Sequence, residues 1–207
     1  MKLYYSPGTC SLATHIVLNE AGYAYELVKV DLKTKTTENG NDFTLINSKS
    51  SVPVLELDNG EVITEVVAIV QYLVDQQAET PLAPKAGTLE RARLHEWLNF
   101  IATEVHKTYS PIFHAAQVGN QARDYSVQKL KDAFDFVAAR LEGKAFLMGT
   151  QFTIADAYLY TTLRWHKGIN FDLSNWPVLL DYMQRIALRP KVQATLMAEG
   201  LLDKKAA

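Results

Sequence analysis

One change of period constrains this chain more than any other feature. Before Thr80, short strand-like apolar runs alternate with helix-like ones; after Gly87 every periodic stretch is helical. Between them lies Thr80-Pro81-Leu82-Ala83-Pro84-Lys85-Ala86-Gly87, whose prolines and closing glycine interrupt both kinds of ladder and mark a linker. A length of 207 residues allows one large domain or two small ones. The linker selects two: an α/β domain over 1–80 and an all-α domain over 87–207.

Within the first domain, Lys2 to Tyr5 is short and β-prone. Ser11 to Ala21 carries Leu12, Ile16 and Val17 at helical spacing and stops at Gly22. Glu26 to Leu32 reads as a strand, and the polar stretch Thr34 to Ser50 as loop with a short helix. Pro53 to Leu57 and Glu61 to Ile63 flank Asp58-Asn59-Gly60, a strong hairpin signal. Glu65 to Gln76 reads as a helix with Val66, Ile69, Val70 and Leu73 on one face. The order predicts a parallel crossover through the first helix and an antiparallel hairpin at the edge.

In the second domain, Leu94, Leu98, Ile101 and Val105 recur at helical spacing, as do Phe134, Val137, Ala138 and Leu141. Ile154 to Leu163 is apolar nearly all round and should be the buried central helix. Leu179, Tyr182, Met183 and Ile186 mark a further helix that ends before Pro190.

Charge and composition narrow the class. Apolar residues at 48% and charged ones at 21% exclude a disordered chain. Twenty-one basic against 23 acidic residues leave a net charge of −2, which argues against a nucleic-acid partner. The longest apolar runs fall far short of the roughly 20 residues that a membrane span needs. Pro7 and Gly8 break what would be the apolar core of a secretory signal. The chain has 1 cysteine, so no internal disulfide can form, and a reducing, cytoplasmic location is expected.

That cysteine, Cys10, falls where the first strand must turn into the first helix, after Ser6-Pro7-Gly8-Thr9. A lone cysteine is usually buried and inert, but a helix N-terminus stabilises a thiolate. Pro53 suits the first residue of a strand, and a cis Val52–Pro53 bond leaves the Val52 backbone to pair with a peptide-like ligand. Glu65 opens the next helix. It is either a solvated residue complementing the dipole or the acceptor for a ligand ammonium, with the Val66 N–H taking a ligand carboxylate. Thr153-Ile154-Ala155-Asp156 fits a capping box, so Thr153 and Asp156 are read as a structural cap. Asn99, Thr103 and His106 are spaced four and three and share a helical face. Tyr109, Phe113 and Trp165, with Tyr5, either line an apolar pocket or belong to the core. His15, His95, His114 and His166 have no partners at metal spacing, and no metal is expected.

Together these features resemble the glutathione transferases, and most closely the bacterial beta class. The resemblance spans essentially the whole chain. It rests on Met1 to Ser11, Ser51-Val52-Pro53-Val54-Leu55, Thr64 to Leu73, His106-Lys107, and Phe152 to Tyr158. Cys10 and His106 point to the beta class. The resemblance implies a thioredoxin-like first domain that holds glutathione as co-substrate, with no separate cofactor. It implies that Val52 pairs with the cysteinyl backbone, Glu65 and Val66 hold the γ-glutamyl end, and Lys35 meets the glycyl carboxylate. Cys10 faces the glutathione sulfur, and His106 is the second catalytic residue. Asn99, Thr103, Glu104 and Val105 line that wall, and Asn99 or its neighbours serve the partner's site in a homodimer. Many relatives carry Ser where this chain has Val66, so one hydroxyl donor to glutathione is missing. Tyr5 and Ser11 are rival activators of the sulfur.

The implied reaction is attack of the glutathione thiolate on a small hydrophobic electrophile, as in detoxification. Two other readings fit the residues: a glutathione-dependent monothiol disulfide oxidoreductase using Cys10, and a non-catalytic binder of hydrophobic ligands.

Overall fold

A computed structural model of the chain describes residues 1–202. Strand β1 (Lys2–Tyr5) leads through helix α1 (Ser11–Glu20) into β2 (Glu26–Asp31), and the two strands pair in parallel, Leu3 opposite Leu27. Strands β4 (Val54–Glu56) and β5 (Val62–Thr64) form the hairpin around Asp58–Gly60, and Gly60 supplies the positive φ of 86° that its turn requires. β4 lies antiparallel to β1 and places Leu55 opposite Leu3. The expected loop hides one more strand, β3 (Thr36–Thr37), antiparallel to β2, followed by a 3-10 turn at Phe43–Leu45. Two threonines carry no alternating pattern, so periodicity could not find it. The sheet order is β3-β2-β1-β4-β5.

Strand alternation sorts the core into two layers. Leu3 and Leu55 are fully buried, while their neighbours Tyr4 and Val54 join Val28, Val30, Phe43 and Val52 in a separate cluster. Helix α1 is buried from Ser11 through Leu18 and packs on α2 (Val66–Asp75) and α9 (Pro190–Ala198).

The structure divides the chain differently from the linker reading. One unit is Met1–Leu82 with the described residues from Ala187 on; the other is Ala83–Ile186. The C-terminal segment belongs to the first unit because its polar groups find their partners there. Arg189 grips Glu20 with two bonds of 2.7 and 2.8 Å, and Asn19 donates to Thr195 at 2.7 Å. Buried Glu199 accepts from the Gly8 N–H at 2.9 Å and lies 2.8 Å from His15 Nδ1. An apolar helix face shows that a helix packs, not where.

The second unit contains α3 (Leu89–Phe100), α4 (Ser110–Phe113), α5 (Ala115–Val118), α6 (Asn120–Leu141) and α7 (Ile154–Leu163), with most of α8 (Pro177–Ala187). α7 is the central helix, all 10 of its residues buried. Leu94, Leu98, Ile101 and Val105 are each fully buried, as the spacing predicts. α3 does not continue as a regular helix: Ile101–His106 is a π segment and Lys107–Tyr109 a 3-10 turn. Such π segments are rare and gather at functional sites.

Candidate active site

In the first unit, the starts of α1 and α2 carry most of the predicted residues. At α1, tight turns carry the chain to Cys10: the Thr9 N–H bonds to the Ser6 carbonyl, and the Leu12 N–H to that of Thr9. Cys10 is half-buried, and its Sγ donates to the Val52 carbonyl at 3.1 Å. Only a protonated thiol can donate that bond, which sets the side chain against the segment before β4. The Val52–Pro53 peptide is cis. Val52 itself is buried.

Ser11 is spent on its own turn. Its Oγ accepts from the Ser6 N–H at 3.2 Å and lies 2.9 Å from Thr9 Oγ1. Tyr5 is buried, and burial with the nearby Glu199 and Glu38 charges pushes its phenol above 10.0. Both are poorer activators of a sulfur than their place in the sequence suggests.

At α2, Glu65 occupies the cap position with a positive φ of 73°, a conformation that costs a non-glycine residue energy. Its carboxylate projects outward and pairs with Lys49, whose Nζ also donates to Thr64 Oγ1 at 2.6 Å. Sequence reasoning missed Lys49, which sits in an aperiodic loop and comes to Glu65 only when the hairpin closes. Val66 follows as the first helical residue, so its N–H has no acceptor within the helix. Lys35 has a φ of 59° and donates to the Ser50 carbonyl at 3.1 Å, two residues before Val52. Cys10, Val52, Glu65, Val66, Lys35 and Lys49 therefore all belong to one unit.

The second unit holds the remaining predicted residues. Asn99, Thr103 and Glu104 are exposed, and Val105 is a core residue. Asn99 Nδ2 donates to the His95 carbonyl at 2.9 Å, and Thr103 Oγ1 to that of Asn99 at 3.1 Å. A period of 3.6 placed Asn99, Thr103 and His106 in one row, but the π segment breaks that period after Phe100. His106 is half-buried, with Nδ1 2.6 Å from the Tyr158 hydroxyl. Its ring meets Trp165 edge-on at 4.9 Å between centroids. Trp165 also packs on buried Tyr109 at 5.3 Å and exposed Phe113 at 6.0 Å, so the three aromatic candidates form one cluster beside His106.

Thr153 and Asp156 are far more constrained. The Thr153 N–H and hydroxyl reach Asp156 Oδ2 at 2.8 and 2.9 Å. The Leu147 N–H and the Tyr182 hydroxyl reach Oδ1 at 2.8 and 2.9 Å. Burial pushes the carboxyl up, and these donors pull it down. Among the described residues, no group of three His, Cys, Asp or Glu side chains could hold a metal ion, and no helix is long and apolar enough to cross a membrane.

Comparisons with known proteins show the family. The model of the glutathione S-transferase N-terminal domain matches residues 1–75, and that of the C-terminal domain residues 100–190. The glutathione S-transferase GstA of Escherichia coli O157:H7 is 43% identical over 201 residues, covering 97% of this chain and 100% of its own. A sphingomonad glutathione S-transferase solved in complex with glutathione aligns with a TM-score of 0.91 at 42% identity, over 98% of this chain and 100% of that one. The chain belongs to the glutathione S-transferase family. It is a transferase with glutathione as co-substrate. Within the family it is similar to the bacterial beta-class enzyme of Sphingomonas chungbukensis, with a TM-score of 0.91 and 43% identity over 98% of this chain and 100% of that one.

Proposed function

We propose that this chain adds the thiolate of glutathione to small hydrophobic electrophiles, as a detoxifying conjugase in the cytoplasm, with Cys10 and His106 as catalytic residues. The observation that carries this reading is the bond from Cys10 Sγ to the Val52 carbonyl, 3.1 Å long. It places the one thiol of the chain on the backbone that a tripeptide would pair with. The cysteinyl backbone of glutathione pairs with Val52 and competes for that carbonyl. Its γ-glutamyl ammonium displaces Lys49 from Glu65, and its γ-glutamyl carboxylate takes the Val66 N–H. Lys35 meets the glycyl carboxylate.

Helix α1 supplies partial positive charge where the sulfur ionises and releases its proton to solvent. The sulfur lone pair then attacks an electrophilic carbon. A C–S bond forms, and with a halogenated aromatic substrate the carbon–halogen bond breaks and halide leaves. Exposed Phe113 and half-buried Trp165, both packed on buried Tyr109, offer the apolar surface for such a substrate. The working form is a homodimer in which Asn99, Thr103 and Glu104, exposed on their own protomer, serve the partner's glutathione.

A second reading has its own support. Cys10 is half-buried rather than sealed, so its sulfur can attack a glutathione disulfide, forming a mixed disulfide and releasing one glutathione thiolate. Cys10→Ala separates the two. Retained conjugation of chlorinated aromatics with loss of disulfide reduction makes the cysteine auxiliary to a transferase. Loss of disulfide reduction in a chain that never conjugated supports the oxidoreductase. A wild-type chain that turns over neither class, yet binds glutathione and apolar dyes, is a carrier. Light scattering of the purified protein gives the oligomeric state.

A further inference from the structure

We infer that Tyr158 is a positioning residue: its hydroxyl donates to His106 Nδ1, which keeps the ring proton on Nε2 and makes that nitrogen a hydrogen-bond donor rather than a base. The inference rests on the catalytic reading of His106 and deepens it.

Donor and acceptor strength decide the direction of the bond. Nδ1 and the Tyr158 oxygen are 2.6 Å apart. A phenol O–H is a stronger donor than a neutral imidazole N–H, and a bare imidazole nitrogen is a stronger acceptor than a phenol oxygen. Reference acidities agree, because a phenol near 10 holds its proton while an imidazole near 6.5 is neutral at physiological pH. With Nδ1 accepting, the neutral ring carries its hydrogen on Nε2. The two rings meet edge-to-face, 88° between planes.

Tyr158 is also placed to hold that geometry. It is 2% exposed on α7, the helix buried on every side, and α7 is anchored by the Thr153–Asp156 box two residues earlier. His106 sits at the end of the π segment, where the backbone departs from regular helix. The rigid element orients the ring at the irregular one. Trp165, 4.9 Å away between centroids, bounds the ring on another side. Phe at position 158 keeps the shape of the buried ring and deletes only the donor.

The test is Tyr158→Phe in the full chain, with His106→Ala beside it. Nitrogen-15 spectra of histidine-labelled protein report which ring nitrogen carries hydrogen. Wild type should show His106 with hydrogen on Nε2, and Tyr158→Phe should lose that preference. The kcat for conjugating glutathione to chlorodinitrobenzene should fall about ten-fold, the scale of one hydrogen bond to a charge-bearing group, with KM for glutathione within about two-fold. Hydrogen on Nδ1 in the wild type overturns the inference. So does a Tyr158→Phe protein with unchanged spectrum and unchanged kcat. Full activity in His106→Ala overturns the catalytic reading of His106 instead, and the spectra then still report whether Tyr158 sets the tautomer.

Discussion

Helix α7 and helices α1 and α2 begin in opposite ways. The start of α7 is closed by its own side chains: Asp156 takes donors from Thr153, Leu147 and Tyr182, and the whole group is buried. At α1 the residue in the cap position turns its sulfur away to Val52, and at α2 Glu65 holds a strained backbone with its carboxylate directed outward to Lys49. A helix N-terminus has donors that something must satisfy. Where the chain satisfies them itself, the site serves stability. At α2 the Val66 N–H has no acceptor within the helix, and in the proposed function that donor and the outward Glu65 carboxylate take the ligand.

Breaking the closed start should give the largest effect. Asp156→Ala leaves two backbone N–H groups and the Tyr182 hydroxyl without their acceptor in a dry interior, a loss of about 3 kcal/mol or more of folding stability. Glutathione affinity of the folded fraction should be unchanged. Thermal and denaturant unfolding check the first half, and titration calorimetry below the transition checks the second. Equal melting temperatures for mutant and wild type would remove the contrast.

The open start should respond the other way round. Glu65→Ala removes an exposed carboxylate, so stability should stay within about 0.5 kcal/mol, while glutathione binding weakens by about 1.5–3 kcal/mol, the scale of hydrogen bonds to a charged group. A melting point lowered as far as that of Asp156→Ala would make Glu65 a structural cap after all. Val66→Ser sharpens the same point with a smaller effect. A hydroxyl beside the first helical N–H should tighten glutathione by about 0.5–1.5 kcal/mol, read as a lower Kd.

A pH effect remote from both starts is the smallest. Hydrogen bonds from the Tyr4 hydroxyl and the Lys2 ammonium hold Glu56 below its ordinary 4.5. A carboxyl depressed in the folded state stabilises above its unfolded value, and that stability is lost as pH falls through the folded value. Glu56→Gln should therefore flatten the acid limb of the stability curve below about pH 4.5 and leave the neutral range nearly unmoved. Acid unfolding of the two proteins measures it, and an unaltered acid limb would show that Glu56 contributes nothing there.

Local patterns were legible without coordinates. The Asn59-Gly60 hairpin, the glycine stop after α1, the nearly all-apolar α7 and the Thr153–Asp156 box all follow from contacts within a few residues, as chain order alone dictates. Cys10, Val52, Glu65 and Val66 were nameable for the same reason, because each stands at a strand end or a helix start. Lys49 and Tyr158 were not. Lys49 reaches Glu65 across 16 positions of chain, and Tyr158 reaches His106 across 52. The π segment escaped as well, since it breaks the period by which helices are recognised.

The sequence by itself determined that there would be a mixed sheet, a helical remainder and a lone thiol at a strand-to-helix turn. Those outcomes depend on short-range sterics and on the period of apolar residues. Tertiary structure alone decided that the last helix packs with the first unit, that the Cys10 thiol rests on the Val52 carbonyl, and which side chain faces His106. Those depend on where distant segments come to rest once the apolar faces are buried, and a buried donor or acceptor takes whichever partner that packing brings within reach.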